Sequence, residues 1–180
     1  MLFKKFLALS IASALTSTQS IAADNPGSHQ HGHAEIQLAI GNGQIEILLM
    51  SPAGNMLGFE HHPRTPEQHQ IAERVSHWLS ENPLVNTLKS TCEIQASTIQ
   101  HEVAGGHDHD RHSHDEQGQH ADITVTQTLS CIGLDKPASL TTPVTKRFPA
   151  LEQLDIAWAG PNGQGATRLG RGESSFKLER

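Results

Sequence analysis

Between His101 and His120 the chain reads HEVAGGHDHDRHSHDEQGQH. Six of its thirteen histidines fall in this stretch, at His101, His107, His109, His112, His114 and His120. Asp108, Asp110, Asp115 and Glu116 are interleaved with them, and Gly105, Gly106 and Gly118 loosen the backbone. Neutral imidazole nitrogens and carboxylates are ligands for borderline divalent metals. The H-x-H spacings, His107/His109 and His112/His114, let two rings from one segment reach one ion. The stretch has almost nothing apolar to bury, so it cannot fold on its own account, and residues 104–119 read as a disordered loop. A solvated surface loop is the ordinary meaning of such polarity. Here the His-rich composition, with further histidines elsewhere in the chain, favours metal binding.

The rest of the chain must carry and position that stretch. Its 180 residues suit one domain with a real core. The formal net charge of -6 gives no reason to expect nucleic acid or an anionic membrane surface as partner, whereas an acidic, His-rich surface suits cations. Residues 1–22 read as a signal peptide: Lys4 and Lys5 form the positive start, Phe6 to Leu15 a short apolar run, and Ser20-Ile21-Ala22 the small residues before a cut. That run is too short for a spanning helix. The expected mature protein, residues 23–180, is therefore exported, soluble, periplasmic and without membrane insertion. In an oxidising compartment the two cysteines, Cys92 and Cys131, read as a disulfide in preference to a thiolate zinc site, and their spacing is not that of a finger or ribbon.

Two hairpins organise the domain. Ile36, Leu38 and Ile40 alternate with polar residues, Asn42-Gly43 is a two-residue turn signal, and Ile45, Ile47 and Leu49 return. Pairing Ile40 with Ile45, Leu38 with Ile47 and Ile36 with Leu49 puts all six on one face. His29, His31 and His33 then stand at the open end of this hairpin. Ser51 to Gly58 reads as a loop that leads to Glu60, His61 and His62. Thr65, Pro66 and Gln68 carry the signals of a capped helix start, and Ile71, Val75, Trp78 and Leu79 form its buried stripe. His69, Glu73 and His77 recur at intervals of four on another face, which reads more readily as solvated than as a metal pair. Asn82-Pro83 ends the helix, and Leu84, Val85 and Leu88 read as a short second turn or helix.

Cys92 to Val103 and Ala121 to Cys131 read as strands on either side of the His-rich loop. Pairing them antiparallel, with Cys92 opposite Cys131 and Val103 opposite His120, clamps a long hairpin at its base; Gln127 spoils its inward alternation. A short helix near Thr142-Pro143, a strand through Leu154, Ile156 and Trp158, a return strand over Ala166 to Leu169 and a last strand over Ser175 to Leu178 complete the expectation. The fold class is α+β, a mostly antiparallel β-sheet built from hairpins with one main helix and a long His-rich loop.

Six short motifs occur in order: H-x-H-G-x-A-E from His29, G-F-E-H from Gly58, the His/Asp-rich loop, H-A-D from His120, R-F-P from Arg147 and P-N-G-Q from Pro161. In that order the chain resembles the ZrgA-type periplasmic zinc-binding proteins. The resemblance implies zinc binding in support of uptake through an ABC-type importer or its solute-binding component. It points to His29, His31, His61 and His120 as ligands, with Asp122 as an acidic neighbour. The loop histidines match only as a composition, His101 leads into the loop, and His33 and His62 stand where variation is expected.

The expected function is therefore zinc capture by a monomeric protein that is not an enzyme. One ordered site would take His29, His31, His61 and His120 if the open ends of the two hairpins meet, and the loop would hold further ions. Cu2+ or Ni2+ could replace Zn2+ on ligand type, while the three methionines form no Cu(I) motif. A metal-dependent hydrolase would need a general base such as Glu60 or Asp122, yet the chain has no H-E-x-x-H, G-x-S-x-G or P-loop. An accessory protein with a purely structural metal would unfold when stripped of it.

Overall fold

A computed structural model describes residues 30–103, 121–134, 139–161 and 163–178. The expected signal peptide and His29 lie outside the described residues, as do the His-rich loop, with His107, His109, His112 and His114, and His120.

β1 (His33–Gly41) and β2 (Gln44–Pro52) form the first hairpin. Asn42 and Gly43 both adopt positive φ, 52° and 73°, which is what a two-residue turn matched to strand twist requires. Ile40 faces Ile45, Leu38 faces Ile47 and Ile36 faces Leu49, in the register that the alternation predicts. The expectation of a plain loop over Ser51 to Gly58 needs correction. β2 runs through Pro52, and α1 (Ala53–Leu57) follows at once, closed by Gly58 at φ 82°. Gly54 and Asn55 look like turn formers, but Ala53, Asn55, Met56 and Leu57 are all buried, and that burial overrides local propensity.

α2 (Pro66–Glu81) begins with the full capping box: the Thr65 hydroxyl accepts from the Gln68 amide, and the Gln68 side chain accepts from Thr65 N–H. Val75 and Leu79 are buried, and Ile71 and Trp78 pack against the core. After Pro83 the chain bends at Leu84 and Val85, forms the short strand β3 (Asn86–Thr87) and turns at Leu88 and Lys89, so the expected turn is present and a helix is not. Leu84 and Val85 are consecutive and both fully buried.

β4 (Cys92–Val103) and β5 (Ala121–Cys131) form the second hairpin; β6 (Ser139–Thr141), α3 (Val144–Arg147), β7 (Gln153–Gly160), β8 (Gly163–Gly170) and β9 (Ser175–Lys177) follow. Six strands make one sheet in the order β4-β5-β2-β1-β7-β8, and β3-β6-β9 make a second. Every pairing is antiparallel except that of β1 with β7. The fold is thus α+β with a predominantly antiparallel sheet. α2 covers the inner face over β4 and β5, while Phe176 of β9 reaches Trp158 of β7 at 6.4 Å between ring centroids. No helix among the described residues is long and apolar enough to cross a membrane.

Cys92 and Cys131 lie opposite one another and are joined in a disulfide, with Cα atoms 4.0 Å apart. The bridge spans 39 residues of sequence and stabilises by on the order of 4 kcal/mol in the chain-entropy account. Further along, the expected register fails by one residue: Val103 faces Ala121, not His120. A bulge between Ile94 and Ala96 causes the shift. Ile94 and Ile99 are an odd number of residues apart, so a regular strand would send them to opposite faces; the extra residue lets both pack on the core.

Gln127 does not break the alternation of β5 either. It is 2 % exposed and lies on the same buried face as Val125 and Leu129. Its amide donates to the carbonyls of Leu79 and Asn82 and accepts from Leu84 N–H, so it ties the end of α2 to the sheet. Gln127→Leu would leave these buried groups unmatched. It should lower the unfolding free energy by on the order of 3 kcal/mol, read from urea unfolding with the disulfide intact.

Candidate metal centre

The topology brings the histidine-bearing segments to one end of the six-stranded sheet. β1 and β7 start there, β2 ends there, and antiparallel pairing with β2 makes β5 start and β4 end there too. Pro52 faces Asp122, and His33 faces Gln153. The disulfide stands at the opposite end, beside the first turn, where Cys131 N–H donates to Gly43 O at 2.7 Å. This corrects the expectation about the hairpins. The open end of the first meets the loop-bearing end of the second, not its disulfide-closed end, because β2 and β5 run antiparallel.

His31 sits in a turn that is held from both sides. Gly32 adopts φ +79°, and a Cβ there would come within 2.9 Å of the Glu152 side chain, so only glycine fits. Gly32 O accepts from the amides of Glu152 and Gln153, at 2.8 and 2.9 Å. On the other side, the buried Asn55 side chain accepts from Gly32 N–H at 2.8 Å and donates to His33 O at 2.8 Å and Ser51 Oγ at 3.1 Å. The His31 ring is exposed, and its Nδ1 lies 3.0 Å from Glu60 Oε1.

His61, by contrast, has its ring fixed by a hydrogen bond. Its Nδ1 donates to the carbonyl of His62 at 2.7 Å, and its ring stacks on Phe59 at 5.3 Å. Nε2 is left as the acceptor. Metal-ligating histidines commonly show this pattern, with the second ring nitrogen fixed by a carboxylate or a carbonyl. His62 is exposed. His101, near the end of β4, lies on the α2 side of the sheet, with Nε2 3.1 Å from Ser76 Oγ.

His33 differs. Its Nδ1 is 2.9 Å from Gln30 Oε1, and its Nε2 is 3.1 Å from Asp155 Oδ2 and touches the Gln153 amide. Both ring nitrogens are thus engaged within the protein. Asp155 in turn accepts from Arg168 Nε at 2.7 Å and Nη2 at 3.2 Å, and this holds its carboxyl below the usual carboxylate range. Asp122, half-buried in β5, lies between Pro52 and Glu102. On α2, His69, Glu73 and His77 are all exposed, and His77 pairs with Glu81 at 3.3 Å, which is the solvated face that their spacing implies.

Among the described residues no three His, Cys, Asp or Glu side chains form a group able to hold a metal ion. His31 and His61 each offer one nitrogen, a donor chemistry that suits zinc, and each belongs to a separate segment. Sequence reasoning missed Asn55 and the Gln153–Asp155–Arg168 group. Asn55 gave no signal beyond its turn-like composition, and the second group depends on pairing between β1 and β7.

The His101 imidazole is pushed below its ordinary value of 6.5, first by burial and then by repulsion from His62. The unfolded chain therefore takes up this proton more readily than the folded one. The contribution of His101 to stability is whole above about pH 6.5 and is lost as pH falls toward its folded-state value. In the metal-free protein its ring resonances should titrate below 6.5, and His101→Gln should soften the acid-side loss of stability. An NMR midpoint above 6.5 would contradict this.

Comparison with known families adds the identity. The family described as ZrgA family zinc uptake protein matches residues 28–178. No curated protein matches the chain. The match takes in both hairpins, α2 and all of the histidines discussed above, so the chain belongs to the ZrgA family of zinc uptake proteins.

Proposed function

We propose that the protein captures Zn2+ outside the cytoplasm at the histidine-bearing end of its sheet and passes it toward an importer. His31 and His61 bind through Nε2. His29, His120 and the loop histidines His107, His109, His112 and His114 supply the remaining nitrogens. The observation that carries this reading is shared by two histidines from different segments. Both stand at the sheet end where β4 ends and β5 begins, His31 exposed on its turn and His61 with Nδ1 committed to a carbonyl so that Nε2 is left to accept. His101 and Asp122 stand at the same end as auxiliary donors. His33 is the weaker ligand, because a metal would have to displace Gln30 or the Asp155 group.

Residues 1–22 direct export to the periplasm on this reading. An ABC-type importer or its solute-binding component receives the ion, and the chain works as a carrier, not as an enzyme. Cu2+ and Ni2+ would compete on ligand type.

Calorimetric titration of the metal-stripped mature protein with Zn2+ should reveal a tight site that survives deletion of residues 104–119, while the number of weaker ions falls. Loss of all binding in the deletion would make the loop itself the site. Zinc affinity should also fall steeply below about pH 6, because each imidazole must shed its proton to bind. Equal affinity at neutral and acid pH would assign the site to carboxylates.

A further inference from the structure

We infer that Asn55 is a positioning residue for zinc: its side-chain amide fixes the backbone that presents His31 before any ion arrives, and ties that turn to the segment that carries His61. This rests on the reading of His31 as a zinc ligand given above. The His31 side chain is 73 % exposed, so its place depends on the backbone beneath it and not on packing of the ring. Asn55 is 5 % exposed and lies in the middle of α1. Its Oδ1 accepts from Gly32 N–H at 2.8 Å, and its Nδ2 donates to His33 O at 2.8 Å and to Ser51 Oγ at 3.1 Å. An asparagine amide offers this acceptor and these two donors in one plane; an ionised aspartate lacks the donors, and leucine lacks both kinds of group.

The contacts fall on the peptide units directly after His31. Gly32 N–H belongs to the unit that joins His31 to Gly32, and His33 O to the unit that joins His33 to Ala34. Between them, Gly32 O accepts from Glu152 and Gln153 N–H, and His33 N–H donates to Gln30 O at 3.1 Å. Three consecutive peptide units are thus held, and the first and last of them by one side chain. Ser51, the third partner of Asn55, donates to Pro52 O at 3.1 Å, which anchors the amide at the end of β2. Beyond Asn55, α1 closes at Gly58 and the chain runs on through Phe59, whose ring stacks on His61. His31 Nδ1 lies 3.0 Å from Glu60 Oε1, so the turn and the His61 segment meet. A site whose ligands are held in advance does not have to order them when the ion binds.

The test measures Zn2+ affinity of the mature protein by competition with a chelator. It compares Asn55→Ala, Asn55→Ser, His31→Ala and each Asn55 change combined with His31→Ala. Asn55→Ala should weaken binding about tenfold, because the ion must then order the turn itself. Asn55→Ser, too short to reach both backbone groups, should do the same. In the His31→Ala background neither change should weaken binding further, since the amide acts through His31. Equal losses in both backgrounds would mark Asn55 as a purely structural residue and overturn the inference, with the zinc reading intact. Unchanged affinity in both Asn55 variants would do so too. If His31→Ala binds zinc like the unaltered protein, His31 is not a ligand and both fall. Hydrogen exchange tests the inference without any substitution: the Gly32 amide should exchange slowly before zinc is added, and hardly more slowly afterwards. Protection that arises only with zinc would mean that the ion orders the turn, and the inference would fail.

Discussion

The antiparallel pairing of β2 with β5 is the contact on which the arrangement depends. It joins two hairpins that are each defined locally, and it decides which of their ends coincide. With Pro52 opposite Asp122, the histidine turn before β1, the segment after α1 and the bases of the His-rich loop share one end of the sheet. A reversed pairing would bury the same aliphatic side chains and leave the histidines at opposite ends. The apolar face carries no information that separates the two; the burial of Ile123, Val125 and Leu129 against Ile45, Ile47 and Leu49 stabilises whichever register the chain connections permit.

What the sequence makes legible is what short-range chemistry determines. Asn42-Gly43 and the flanking alternation agree, so the first hairpin and its register follow. Thr65, Pro66 and Gln68 mark the start of α2 to the residue. The bulge in β4 was not legible because it is a response to packing: Ile94 and Ile99 are out of phase in sequence and only the core reveals that both must face it. Gln127 misled for the reverse reason, since a polar residue on an apolar face is tolerable only with partners that another element provides. Nor did anything local announce that β1 would pair in parallel with β7, and with it the engagement of His33 by Asp155 and Gln153. The residue types that could bind metal were visible from the start, whereas the oxygen atoms that orient them were not.

The chemistry of the two ends is also separated. The only two cysteines are consumed in a disulfide at the far end of the sheet, so the histidine-bearing end offers imidazole and carboxylate groups and no thiolate. Such donors do not oxidise in the way thiolates do. The same division frees the second hairpin: its base is fixed covalently, so the segment between β4 and β5 can be rich in polar and charged residues at no cost to the core.

The parallel pairing of β1 with β7 has a kinetic side. The His31 turn is completed by the amides of Glu152 and Gln153, about 120 positions later in the chain. Contacts of such separation form slowly, because the loop entropy must be spent before they give anything back. The two hairpins and α2 can assemble from neighbouring residues, but the turn that presents His31 is not complete until β7 has been delivered and docked. A chain that folds in order from its N-terminus would therefore carry His31 in an unformed turn through most of its synthesis. The turn would acquire its final geometry only after the greater part of the domain had appeared.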